Sequence, residues 1–128
     1  MAGLFLTQTD IVIRGALDGL AARHRAYANN IANIETPGFQ PSEVPFETQL
    51  RRLRDQMVEN PATVGSAQIL ALDPVPDSQA ADRVDGNGVQ ADRQVTLLAE
   101  STLTYEALSQ AARLHDSLLR SAITEGKA

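Results

Sequence analysis

Apolar and polar positions near the start of the chain keep a strict seven-residue beat. Ile13, Leu17, Leu20, His24, Tyr27, Ile31 and Ile34 follow one another at steps of 4, 3, 4, 3, 4 and 3. That is a seam two residues wide per heptad, narrower than the stripe of an ordinary globular helix. Thr7-Gln8-Thr9-Asp10 places an acid three residues after a capping hydroxyl, a pattern that starts helices. A helix is therefore expected over about residues 10–33, roughly 36 Å long. Gly15 and Gly19 lie inside it, each costing about 1 kcal/mol against alanine. Such a helix needs a partner.

The last third of the chain offers one. No proline or glycine interrupts Arg93 to Glu125, and Asp92 is the expected N-cap. Leu98, Tyr105, Ala112 and Leu119 repeat at seven, and Leu108, His115 and Ala122 fill the alternate row three residues on. The fold predicted is mainly α. Long N- and C-terminal helices pair as a coiled-coil-like bundle within a single domain spanning residues 1–128. Its parts are an N-terminal helix and motif (1–36), a turn, short helix and loop (37–91), and the C-terminal helix (92–128).

The middle differs in kind, since all six prolines fall between Pro37 and Pro76. Phe46, Leu50, Leu53 and Met57 step 4, 3, 4 and predict a short helix over about Glu43–Glu59. Beyond Asn60-Pro61 the composition predicts a loop-rich, partly disordered segment through Asn87-Gly88. Val64, Ile69, Leu70 and Leu72 suit a brief strand within it. Asp73, Asp77, Asp82, Asp85 and Asp92 against Arg83 alone make this segment acidic, as expected of an outward loop.

The most informative local stretch is Ala28-Asn29-Asn30-Ile31-Ala32-Asn33-Ile34-Glu35-Thr36-Pro37-Gly38-Phe39. Asparagine amides compete with the helix for backbone hydrogen bonds. Pro37 pushes Thr36 out of the helical region, and Gly38 supplies the positive φ of a type II turn. Physics alone reads a helix stop here. Three amides at one helix end are more than a single cap uses, so Asn29, Asn30 and Asn33 are expected to grip neighbouring backbone and not to enter a core.

Composition narrows the chemistry. Aromatic residues make up 4% and there is no tryptophan, so the core must be aliphatic; the absence of cysteine excludes disulfides and thiolate sites. A net charge of −5 disfavours nucleic acid and anionic membrane surfaces. No apolar run is long enough to span a membrane, and no basic n-region of a cleaved secretory signal precedes Arg14. His24 and His115 are the only histidines. Both read as seam residues with one polar edge, and together they supply at most half a metal site. Asp85-Gly86-Asn87-Gly88 starts like a calcium loop, but Val89, Gln90 and Thr96 occupy its fifth, sixth and twelfth positions, so it reads as a turn. Arg51, Arg52 and Arg54 read as the solvated face of the short helix, with an acidic surface of a neighbouring copy as the alternative. No nucleophile elbow or phosphate loop is present.

The stretch from Ala28 to Phe39 closely resembles the N-terminal signature of bacterial flagellar rod and hook proteins, A-N-N-[LI]-A-N-x-x-T-P-G-[YF], with every fixed position matched. Phe46-Glu47-Thr48-Gln49-Leu50 and Asp85-Gly86-Asn87-Gly88-Val89 are similar to segments of the small proximal-rod members. So are Leu98 to Glu106 and the ending Leu118 to Ile123. Ser101-Thr102 departs from the usual asparagine-serine of that helix.

The resemblance implies a structural subunit, not an enzyme, without cofactor or metal, that polymerises into the drive shaft transmitting torque for motility. It further implies export through the flagellar type III apparatus without a cleaved signal, and assembly in the periplasmic rod of the basal body. The implied partners are copies of itself, other rod proteins, the adaptor protein FliE and the MS ring. Asn29, Asn30, Ile31, Ala32, Asn33, Thr36, Pro37, Gly38 and Phe39 would form the assembly motif. Another rod protein such as FlgC, a cytoplasmic coiled-coil adaptor and a chaperone-like cap for export substrates are the alternatives.

Overall fold

The computed structural model describes residues 7–61, 72–80 and 87–126. It contains α1 (Gln8–Ala32), β1 (Ser42–Glu43), α2 (Phe46–Glu59), β2 (Val75–Pro76) and α3 (Asn87–Glu125). The two short strands pair antiparallel, Ser42 with Pro76 and Glu43 with Val75. Helix α1 lies at the centre, packed on α3, α2 and β1.

Helix α1 begins with a reciprocal capping box. The Asp10 amide donates to Thr7 Oγ1 at 3.2 Å, and the Thr7 amide and hydroxyl both donate to Asp10 Oδ2 at 2.8 Å. α1 and α3 run antiparallel, meeting at Asn30 and Gln94, at His24 and Thr102, and at Asp10 and His115. From the first contact to the last, α1 falls by twenty residues and α3 rises by twenty-one, about 30 Å of shared length.

The apolar core is thin and built around small residues. Leu20, Ala22, Ala26, Val44 and Phe46 form one cluster, with Ala16, Leu50, Leu72 and Leu108 against it; Ile11, Leu53 and Met57 form another with Val12. Arg23 closes the first cluster. Its guanidinium lies 4.5 Å from the Phe46 ring centroid and donates to the Val44 carbonyl from Nε at 3.2 Å and Nη2 at 2.9 Å.

Several expectations need correction. The C-terminal helix starts at Asn87, so Asp92 is an exposed helical residue and not its N-cap. Gln90 and Gln94 are buried against the rest of the fold, and that docking outweighs the modest penalty of Gly88 in the first turn. α2 begins at Phe46 because Ser42 and Glu43 are held in β1. A strand occurs at Val75–Pro76; of the four residues suited to a brief strand, Leu72 lies outside any strand and packs on the core, and Val64, Ile69 and Leu70 are outside the described residues. Asp77, placed by sequence in an outward acidic loop, is buried. α1 buries Ile11, Gly19, Leu20, Ala22, Ala26, Tyr27 and Asn30, a broader face than a two-residue seam, because it serves several neighbours.

Gly19 is required, not merely tolerated. A Cβ there would lie 2.5 Å from Phe46 Cδ2 and 2.7 Å from Cδ1. Gly19→Ala should therefore lower stability in urea denaturation by about 1–3 kcal/mol, although alanine is the better helix former. Unchanged or raised stability would show that the ring moves aside freely.

The capping acid gives a second prediction. Burial alone would raise the Asp10 carboxyl, but hydrogen bonds from the Thr7 side chain and backbone, with His115 and Arg14 nearby, bring it below its ordinary 3.8. A depressed acid stabilises the fold fully above its unfolded pKa and loses that contribution as pH falls through the folded value. Asp10→Asn should flatten the acid limb of stability below about pH 4 in chemical melts across pH.

The asparagine turn as candidate functional site

Asn30 sits in the last turn of α1 with no solvent exposure. Its Nδ2 donates to the Ser42 carbonyl at 2.8 Å and to Gln94 Oε1 at 2.9 Å, and its Oδ1 accepts the Ser42 amide at 2.9 Å. The side-chain amide thus pairs both backbone groups of Ser42, as a neighbouring strand would, and reaches α3 with its remaining hydrogen. A buried amide with three partners is strongly specified, since each partner would otherwise be stranded.

The next residue along α3 makes a parallel tie. Arg93 Nη1 contacts Asp77 Oδ2 at 2.6 Å, and the Asp77 side chain is 2% exposed. Asp77 also donates its amide to the Pro41 carbonyl at 2.9 Å and accepts the Gln79 amide at 2.9 Å. Arg93 through Asp77 and Gln94 through Asn30 therefore tie both strands of the small sheet to α3.

Asn33 and Asn29 act locally. The Asn33 amide and its Nδ2 both donate to the Asn29 carbonyl, at 3.1 and 2.9 Å, and Nδ2 lies 3.1 Å from Asn29 Oδ1. This caps the C-terminus of α1, whose last carbonyls lack helical partners. Thr36 follows by donating its amide to the Asn33 carbonyl at 2.9 Å, and the Phe39 amide closes onto the Thr36 carbonyl at 3.2 Å. Gly38 has φ 75°, the conformation a type II turn assigns to glycine.

The motif is therefore split between inside and outside. Asn30 is buried, Ile31, Asn33 and Phe39 are half-buried, and Asn29, Ala32, Thr36, Pro37 and Gly38 are exposed. Of the seam residues, Leu20 and Tyr27 are buried, and Ile13, Leu17, Leu98, Leu108, Ala112, His115 and Leu119 are half-buried. His24 and Tyr105 are exposed. His24 Nδ1 lies 3.5 Å from Thr102 Oγ1 at the edge of the helix pair. His115 Nε2 lies 3.2 Å from Asp10 Oδ1 without hydrogen-bond alignment, an electrostatic contact present when the imidazole is protonated. Burial pushes the Tyr27 phenol up.

Sequence reading missed Ser42, Asp77, Arg93 and Gln94, the partners that give Asn30 its setting. The available signal was polar residues in phase with an apolar row, since Gln90, Gln94, Leu97, Ser101 and Leu108 keep steps of 4, 3, 4 and 7. Among the described residues, no group of three His, Asp or Glu could hold a metal, and no helix is long and apolar enough to cross a membrane. An open groove of about 440 Å³ between α1 and α3 is floored by Leu20, Tyr27, Phe46, Leu97 and Leu108.

Residues 12–40, α1 from its second turn through the asparagine turn, match the family model described as "Flagella basal body rod protein". The flagellar basal body rod protein FlgB of Yersinia enterocolitica is 34% identical over 106 residues, covering 71% of this chain and 75% of that protein. The chain belongs to the flagellar basal body rod protein family. FlgB of Escherichia coli K12 is 33% identical over 106 residues with the same coverage. FlgB of Bacillus subtilis is 25% identical over 124 residues, 90% of this chain and 92% of that protein. No solved structure matches the chain. The buried clamp of this rod protein lies within its family-matched segment at Asn30 and extends beyond it to Ser42 and Gln94.

Removing that clamp should be costly. Asn30→Ala strands two backbone groups and the Gln94 carbonyl, for an expected loss of about 3 kcal/mol in chemical denaturation. Asn30→Asp should be no better, because a carboxylate faces the Ser42 and Gln94 oxygens without a proton to donate. Wild-type stability in either variant would mean that water replaces the amide.

Proposed function

We propose that the chain is exported through the flagellar type III apparatus without a cleaved leader and enters the proximal rod in the periplasm, alongside other rod proteins, FliE and the MS ring. It is a structural subunit of the flagellar basal-body rod, and its location is the basal body. Polymerised copies form the shaft that carries torque. The observation that carries the reading is the close relation to FlgB proteins over most of the chain, centred on α1 and its turn. A helical antiparallel pair that leaves large apolar side chains uncovered, Leu103, Leu114 and Leu118 among them, suits a subunit completed by neighbours. The role is mechanical and requires no catalytic group.

Within that reading, the exposed rim of the asparagine turn, Asn29, Thr36, Pro37 and Gly38, forms part of a subunit contact. Asn30 and the half-buried seam residues set its position from inside.

The deciding measurement is mass spectrometry of hook–basal bodies stripped of filament. The chain is expected there in amounts comparable with other rod proteins. Absence from intact basal bodies, with abundance in the cytosol, would favour a cytoplasmic coiled-coil adaptor instead. Thr36→Arg adds bulk at the exposed rim and should leave the folded subunit as stable as wild type while abolishing swimming in soft agar. Normal swimming would remove the rim from the contact.

A further inference from the structure

Helix α3 carries a second apolar row that is largely exposed. Leu103, Leu114 and Leu118 are 67%, 64% and 62% exposed, and Ala107, Ala111 and Ala122 are exposed between and beyond them. The six positions share one arc about 100° wide on a straight helix, the width of a packing face. The row that meets α1, with Leu108, Ala112, His115 and Leu119, is centred roughly 100° away. All charges between Leu103 and Ala122, namely Glu106, Arg113, Asp116 and Arg120, stay off the arc. Ser121 and Thr104 lie on the two edges of the arc, and Gln110 and Ser117 lie just outside it.

The order of large and small residues along this row is self-complementary. Reversed onto itself in a single register, it sets Leu103 opposite Ala122, Ala107 opposite Leu118 and Ala111 opposite Leu114. Every leucine then meets an alanine, the interdigitation that lets two helices approach closely. Glu100 and Glu125 fall opposite one another at the two ends and limit the pairing to the apolar stretch.

We propose that the free subunit pairs with a second copy through this face, α3 against α3, antiparallel about a two-fold axis near residue 112. The strip is about 28 Å long on a helix about 10 Å across. It would remove on the order of 800 Å² from water, below the size of stable specific complexes. The pair is therefore reversible and concentration-dependent. It is isologous and closed, whereas a rod grows by contacts that do not close, so the pair is a form of the subunit outside the rod.

Light scattering on the full chain after size exclusion tests this. Twice the monomer mass is expected at high concentration, falling on dilution. Leu114→Glu with Leu118→Glu should be monomeric throughout with an unchanged helical spectrum, since both positions are exposed. The chain lacks cysteine, so orientation can be read directly. Ala107→Cys and Leu118→Cys should form a disulfide when the two variants are mixed and oxidised, and neither should dimerise covalently alone. A monomer at every concentration, a dimer that survives the glutamates, or disulfides within each single variant would overturn the proposal. Basal-body incorporation is read separately, so failure of the pair and failure of the rod reading are distinct results.

Discussion

The structure depends on one buried amide. Asn30 joins three segments: the end of α1, strand β1 twelve residues on, and α3 sixty-four residues on. Apolar packing is non-directional, and a thin core of alanines and a few larger side chains leaves helices free to slide. Hydrogen bonds fix register, because a displaced amide leaves its partners buried and unpaired. Asn30 on Gln94 sets the antiparallel alignment of α1 and α3 at one end, and at the other the same alignment brings Asp10 within 3.2 Å of His115.

Small residues make that alignment possible. Gly19 admits the Phe46 ring to the α1 surface, and Arg23 covers the ring from the solvent side while tying down the Val44 carbonyl. The entry of the chain into α2 is thereby bound to the middle of α1, as β1 is bound to its end. Aspartate 77 continues the same logic on the other strand, where its charge is neutralised by Arg93 and its remaining oxygen is satisfied by a backbone amide. A buried carboxylate left without that cation would be strongly destabilising.

The two long helices were legible because their apolar periods are long and the Thr7–Asp10 box is local chemistry. The turn at Gly38 was legible for the same reason, since proline and glycine restrict backbone angles within a few residues. The destination of Asn30 was not legible, because nothing in its neighbourhood encodes Ser42 or Gln94. Reading three asparagines as one cluster concealed that Asn30 points inward while Asn29 and Asn33 cap the helix. The seam was drawn through Leu98 and Tyr105 because apolar residues are assumed to be buried. In the first half of α3 the buried places belong to Gln90, Gln94 and Ser101, and a polar core is invisible to hydrophobic periodicity. The start of α3 was missed because its anchors are those same glutamines.

Helix α3 presents three different faces, and each has a separate role in how the chain meets others. Its inner row, partly polar and fixed by Gln94, commits the helix to α1. Its charged arc carries Glu106, Arg113, Asp116 and Arg120, all exposed. Its outer apolar row is long enough to pack one further helix and carries no charge to select a distant class of partner. A palindromic order of large and small residues favours antiparallel contact, whereas copies in a polar shaft all point the same way. The two arrangements would compete for one surface. Mass action then sets which prevails, because the closed pair gains one weak interface and a growing rod gains several contacts per subunit. An outer face of modest affinity is the consistent solution, masked while the subunit is free and released where more neighbours are on offer.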